Sequence, residues 1–192
     1  MFRFEKIKRT DERITKLMAI HYSAPKGFVG RNLCYAIYYN DIFYGCIVGG
    51  SATLHLPNRH EFFETSKKDL NKIINNIFYH IEKVDGKYPA RWFTSKVLLE
   101  WEKIIIKDWE ERYGDKVIGI ESLVELPRTG ECYKQSGYTL IGQTHGYTCK
   151  RTGGKGTDDW SGKRVWDVEN LRPKLVFVKK IKPTLENLNG RV

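Results

Sequence analysis

The sequence has no apolar run approaching the roughly 18 to 20 residues that span a bilayer. Its opening, Met1-Phe2-Arg3-Phe4-Glu5-Lys6, lacks both the apolar stretch and the small-residue cleavage site of a secretory signal. A cytoplasmic protein with no membrane partner is the expectation. Cysteine is scarce: Cys34, Cys46, Cys132 and Cys149 make no C-x-x-C pair, and no histidine stands at zinc-finger spacing from them. No metal site is expected. A chain of 192 residues needs no disulfides, so the four read as free thiols, Cys34 and Cys46 as small core residues. There is no G-x-G-x-x-G string, no Walker A string and no internal repeat, so neither dinucleotide binding nor P-loop hydrolysis is supported.

What is present suits one α/β domain. A hydrophobic content of 41 % is ordinary for a globular protein. A single domain is expected over residues 1–182, carrying a basic glycine-rich loop at 146–164, with a C-terminal tail at 183–192. Lysine and arginine number 33 against 23 acids, a net charge of +10. The excess is uneven: from Gly146 to Val192 eleven basic residues face five acidic ones. A basic, glycine-rich, tryptophan-bearing end suits a polyanion such as DNA or RNA. The plainer alternative is a basic protein kept soluble by its charge.

Apolar periodicity gives an opening strand at Phe2, Phe4 and Ile7, then a helix over Asp11–Ile20. Leu33–Tyr39 and Phe43–Gly49, separated by Asn40-Asp41, read as a hairpin. Gly49-Gly50-Ser51-Ala52 marks a bend or a close backbone approach. Asp69–Asn76 reads as polar or helical, and Ile77–Val84 as a strand. Thr94-Ser95 can cap a helix that Gly114 stops. Val117–Val124 suits a buried parallel strand. A short helix within Pro127–Gly137, a strand at Tyr138–Gly142, a loop over Gly146–Gly162 and late strands at Val165–Val168 and Leu175–Ile181 follow. A hairpin-led sheet whose middle strands are joined by helices is a mixed α/β sheet.

That element order resembles the GNAT acyltransferase superfamily, and short strings carry the likeness further. They are His21-Tyr22-Ser23, Gly49-Gly50-Ser51-Ala52, Glu121-Ser122-Leu123-Val124-Glu125, Gly130-Glu131-Cys132-Tyr133-Lys134-Gln135 and Tyr138-Thr139-Leu140-Ile141-Gly142. Together they resemble the phage Mom DNA-modification proteins and the DUF4338 family, which includes the DruA component of Druantia anti-phage systems. The DUF4338 likeness covers about residues 15–181 and adds Gly30-Arg31-Asn32-Leu33, Asp108-Trp109-Glu110-Glu111-Arg112-Tyr113-Gly114 and Leu140-Ile141-Gly142-Gln143-Thr144-His145-Gly146. The resemblance implies a GNAT-like mixed, partly splayed central sheet flanked by helices. It also implies acetyl-CoA or another acyl-CoA as cofactor, and DNA as partner, in a phage-infected or defence-bearing bacterial host. The oligomeric state is open, a homodimer included.

Carried over residue by residue, the Mom pattern places its reaction centre at His21, Tyr22, Glu125 and Tyr133. The acid is Glu where Mom has Asp, and its spacing to the tyrosine differs slightly. A phenol at Tyr133 can donate a proton to a leaving thiolate or hold a carbonyl. Glu125 and His21 can handle protons, and Tyr22 can stack on a base. Cys132 is an alternative acyl-carrying nucleophile. Each of these side chains also has a purely structural reading: ring packing for Tyr133, a turn for Glu125, a loop contact for His21. The resemblance puts the diphosphate at the helix start Thr94-Ser95-Lys96-Val97, where free N–H groups and the helix dipole favour an anion. The glycine-rich diphosphate loop usual in GNAT enzymes is missing. Nucleic-acid contacts are expected from Arg31, Arg59 and Arg128, and from Lys150, Arg151, Lys155, Trp160, Lys163 and Arg164.

The expected activity is transfer of an acyl-derived group to a nucleobase amine, adenine N6 foremost. The alternatives are a non-catalytic DNA-binding module of a phage or anti-phage system on the same fold, and a GNAT enzyme acting on a protein or small amine. A gap between two parallel central strands separates the enzyme from the binding module.

Overall fold

A computed structural model describes residues 1–23, 25–151, 164–167 and 169–181. Strand β1 (Phe2–Ile7) leads into helix α1 (Glu12–Ile20), whose N-cap Asp11 accepts the Arg13 N–H. The hairpin is β2 (Asn32–Tyr39) and β3 (Ile42–Ser51), turning at Asn40 and Asp41, both with positive φ as such a two-residue turn requires. A short helix α2 (Arg59–Phe63) and a 3₁₀ turn (Lys67–Lys72) precede β4 (Ile73–Ile81). Helix α3 (Arg91–Tyr113), β5 (Gly119–Glu125), α4 (Glu131–Gln135) and β6 (Thr139–Gln143) follow. A separate hairpin of β7 (Thr148–Arg151) and β8 (Arg164–Asp167) comes before β9 (Lys174–Lys180). Three expectations move: α2 is an added element, β4 begins four residues earlier, and residues 148–151 are strand where a loop was expected.

The seven-stranded sheet has the order β1-β2-β3-β4-β5-β9-β6. Only β4 and β5 pair in parallel among the described strands of this sheet. Strand alternation divides the core between its faces. Tyr35, Ile37, Ile47, Ile74, Ile120 and Phe177 meet Val97, Leu98, Trp101 and Ile105 of α3. On the other face, Ile14 and Leu17 of α1 meet Cys34, Ala36, Cys46, Val48 and Phe78, while Phe63 of α2 meets Ile73, Val176 and Val178. Each fully buried large side chain in these layers contributes about 1.5–3 kcal/mol.

The feature that positions the site lies between β4 and β5. Their pairing runs from Ile73↔Gly119 to Asn76↔Ser122 and stops, although β4 continues to Ile81 and β5 to Glu125. At the same level β3 passes from Gly49↔Asn76 to Val48↔Phe78, leaving Ile77 as a bulge. A bulge bends its strand and sharpens its twist, which here turns β4 away from β5. Gly50 makes room for it: a Cβ there would lie 2.5 Å from Cδ1 of Ile77. The Gly49-Gly50 pair thus marks a close approach within a continuing strand. The partly splayed mixed sheet expected from the sequence is the observed fold class.

Candidate active site

The divergence of β4 and β5 opens a cavity of about 930 Å³. Asn75 and Asn76 stand at its vertex, and residues 77–81 of β4 and 122–125 of β5 form its walls. The loop of His21, Tyr22 and Ser23 lines one side, and Gly130–Tyr133 the other. A second cavity of about 590 Å³ shares Ile81, Tyr88, Glu131 and Cys132 with the first and runs to Pro89, Ala90, Arg91 and Thr94 at the start of α3.

Tyr133 reaches the vertex from α4. Its hydroxyl donates to Asn76 Oδ1 at 2.8 Å, and its ring stacks on Phe177 and meets Tyr138 edge-on. Burial pushes the phenol well above the usual tyrosine range. Asn76 Nδ2 and Asn75 Oδ1 are shielded from solvent and have no hydrogen-bond partner among the described residues. Such unpaired groups are costly unless something else meets them. Cys132 sits where the cavities join; burial pushes its thiol up to about 11, so it stays protonated rather than becoming the nucleophilic thiolate.

His21 caps the C-terminus of α1 and packs on Phe78 and Tyr22. Its Nδ1 accepts the Ser23 N–H at 3.3 Å and lies 2.8 Å from Ser23 Oγ. Burial, with His80 and Arg128 nearby, pushes the imidazole down to about 4, so the ring is neutral at physiological pH. Tyr22 is covered by the Arg128 guanidinium at 3.5 Å and lies against His21. Glu125 Oε1 accepts from Nε and Nη2 of Arg172 at 3.0 and 2.7 Å. Arg172 in turn donates its N–H to the Gly146 carbonyl, closing the base of the excursion that carries β7 and β8. His21, Tyr22, Glu125 and Tyr133 therefore line one cavity.

The helix-start residues fall differently. α3 begins at Arg91, not Thr94, because the Thr94 and Ser95 hydroxyls bond back to the Arg91 and Trp92 carbonyls instead of capping. Ser95 is buried, Val97 lies in the core and Lys96 pairs with Glu100, so of the four only Thr94 reaches a cavity. The cap residue is Ala90, which offers no side-chain acceptor; its carbonyl takes the Phe93 N–H at 2.9 Å, and the Arg91 and Trp92 N–H groups before it receive no side-chain cap.

Of the three arginines expected to touch nucleic acid, the structure contradicts Arg59. Arg59 has no exposed surface: it is ion-paired with Glu121 at 3.1 Å and donates to the Thr53 and Leu54 carbonyls, so it cannot touch DNA. Arg31 pairs with Asp115 beside the C-terminal end of α3, where β4 and β5 begin, away from the cavity mouth. Arg128 is exposed at the cavity rim. Lys150 and Arg151 fall on β7 and Arg164 on β8; Lys155, Trp160 and Lys163 lie outside the described residues. Sequence reasoning missed His80, Asn75, Asn76, Arg91 and Arg172. Of these, the uncapped Pro89-Ala90-Arg91 entry to a long helix offered a readable signal.

Solved structures share this architecture. A Bacillus subtilis acetyltransferase in complex with CoA superposes with a TM-score of 0.57 at 12 % identity, covering 95 % of this chain and 100 % of its own. A GNAT family acetyltransferase from Elizabethkingia anophelis with acetyl-CoA bound gives 0.54 at 9 % identity, covering 94 % and 98 %. Arabidopsis thaliana NAA60 in complex with a bisubstrate analogue gives 0.53 at 13 % identity, covering 96 % and 100 %. This is a GNAT-like acyltransferase fold. Identities this low establish the GNAT-like architecture alone. No protein-family model matches the sequence, and no curated protein matches it significantly. The likeness to Mom and DUF4338 therefore rests on the short strings, and nothing in the comparisons narrows the GNAT-like fold to either group. No helix among the described residues is long and apolar enough to cross a membrane.

Proposed function

We propose that the protein is an acyl-CoA-dependent N-acyltransferase, and that its acceptor amine is carried on DNA. The observation that supports the first half most strongly is the parting of β4 from β5 after Asn76 and Ser122, with a cavity leading to an uncapped helix start. The residues present fit an acyl-CoA. The N–H groups around Arg91 and its guanidinium suit a diphosphate, and the apolar and amide walls around Ile81, Cys132 and Asn76 suit an uncharged arm. When bound, acyl-CoA supplies an activated acyl group as thioester.

The chain's own residues would then do the following. Asn76 and Tyr133 offer hydrogen bonds at the vertex. The Tyr133 proton is already given to Asn76, and burial disfavours its loss, so the phenol serves the site as a hydrogen-bonding group. Glu125 fixes Arg172, and with it the acceptor side of the cavity. His21, neutral and tied to Ser23, orients the same wall.

Support for a DNA acceptor comes from the net charge of +10, from exposed Arg128 and half-buried Lys174 at the cavity, and from the strings that resemble Mom. Adenine N6 is the acceptor that resemblance favours. Its lone pair is delocalised into the ring, so an effective base is needed. A non-catalytic DNA-binding module would have no use for the cleft. Nucleoside mass spectrometry of DNA from cells producing the protein tests the reading. A new nucleoside mass, absent with Tyr133→Phe, is expected; unmodified DNA in both would refute the DNA half and favour the binding module.

A further inference from the structure

His80 lies on β4 beyond the point where that strand leaves β5, lines the large cavity, and is 18 % exposed in its side chain. Its Nε2 is 2.8 Å from Oε1 of Glu82, whose side chain is 36 % exposed. Its ring stands 5.5 Å from that of His21 and stacks over Phe78. With Nε2–H directed at the carboxylate, the lone pair of the neutral ring resides on Nδ1. A carboxylate so placed fixes the tautomer and stabilises the imidazolium that forms when Nδ1 takes a proton.

The other two candidate bases of the cavity carry contacts of their own. His21 Nδ1 is committed to Ser23, and Glu125 Oε1 to Arg172. We propose that His80, held by Glu82, is the catalytic base of the site, taking the proton from the acceptor amine as that amine is acylated. This rests on the N-acyltransferase reading and assigns it an uncharged amine as acceptor. The amine nitrogen forms the bond to the acyl carbon, the carbon–sulfur bond breaks with its electron pair going to sulfur, and the amine proton passes to His80 Nδ1. The sulfur takes a proton from water, and His80 returns its own to water after the product leaves. The charged and titratable groups around His80 are Glu82 just past the end of its strand, His21 from the loop after α1, and Tyr22, Tyr88, Glu125, Arg128, Glu131, Cys132, Tyr133 and Lys174 around the cavity, with Tyr79 beside it in sequence. Cys46, its neighbour on β3, is a buried neutral thiol pushed up to about 12.

The test combines three readouts on the full chain. Calorimetry with acetyl-CoA is expected to give the same affinity for wild type and His80→Gln, whereas absence of binding to wild type would sink the N-acyltransferase reading itself. With acetyl-CoA and either single-stranded oligodeoxyadenylate or aniline as acceptor, both uncharged amines at neutral pH, His80→Gln should lower kcat by about 100-fold or more. Glu82→Gln should lower kcat by about tenfold while leaving KM for the acceptor unchanged, with Glu82→Asp restoring part of the loss. A kcat for His80→Gln within about threefold of wild type overturns the proposal alone, being far below general-base effects. Should neither acceptor react, imidazole nitrogen NMR decides: neutral His80 carrying its proton on Nε2 supports the proposal, and a proton on Nδ1 overturns it.

Discussion

Arg59 and Glu121 face each other with no exposed surface on either side chain. Burial raises the Glu121 carboxyl, opposed by the Thr53 N–H at 2.7 Å and by the guanidinium. Removing one member of such a pair leaves an uncompensated buried charge, which costs about 3–5 kcal/mol. Glu121→Gln should therefore lower the unfolding free energy by about 3–5 kcal/mol, read as a lower urea midpoint at unchanged m-value, and a variant as stable as wild type would contradict the buried pair. An arginine flanked by Asn58 and His60 reads as a surface contact, because nothing local announces that Glu121, distant in sequence, will enclose it. His80 was illegible for a related reason. Its partner is only two residues away, but a His-x-Glu spacing means something only once a cavity stands beside it. Tyr133 and Glu125 were legible through short strings, whereas the Asn76 and Arg172 contacts that define them join segments far apart in the chain.

At the scale of elements, strands with clean alternation were readable: β1 and the β2–β3 hairpin stand within two residues of expectation. β4 was misplaced because Asn75 and Asn76 make a polar interruption in the strand, and that interruption is the vertex of the cleft. The start of α3 was misplaced because Thr94-Ser95 resembles a cap while the true entry at Ala90 has none. If that entry receives a diphosphate, Arg91→Glu should raise the dissociation constant for acetyl-CoA by about tenfold at low salt and by less at high salt. Unchanged affinity at low salt would remove the anion from this helix. The 3₁₀ turn before β4 gives a pH prediction. Asp69 is drawn down to about 2, chiefly by Lys72 and then by the N–H and hydroxyl of Ser66. Because the folded value lies below the ordinary 3.8, its stabilisation is present above that pH and lost as pH falls towards 2. The Ser66 amide should lose its hydrogen-exchange protection over that interval and show no such step in Asp69→Asn; an unchanged profile in the variant would contradict the contact.

Across the whole molecule, the fold delivers two polar amides, a buried phenol and a histidine paired with Glu82 to one cleft, with the uncapped start of α3 lining the cavity that adjoins it. Ligand that binds only the folded chain would stabilise it by about 2.7 kcal/mol at a hundredfold excess over its dissociation constant. The most direct measurement is titration calorimetry of acetyl-CoA into wild type and into Cys132→Trp, whose ring would fill the junction of the two cavities. Wild type should bind one acetyl-CoA with a dissociation constant of about 1 μM–1 mM, and Cys132→Trp, folded by its melting transition, should bind none. Silence from the wild type, or equal binding by the blocked variant, would contradict a cleft built for an acyl donor.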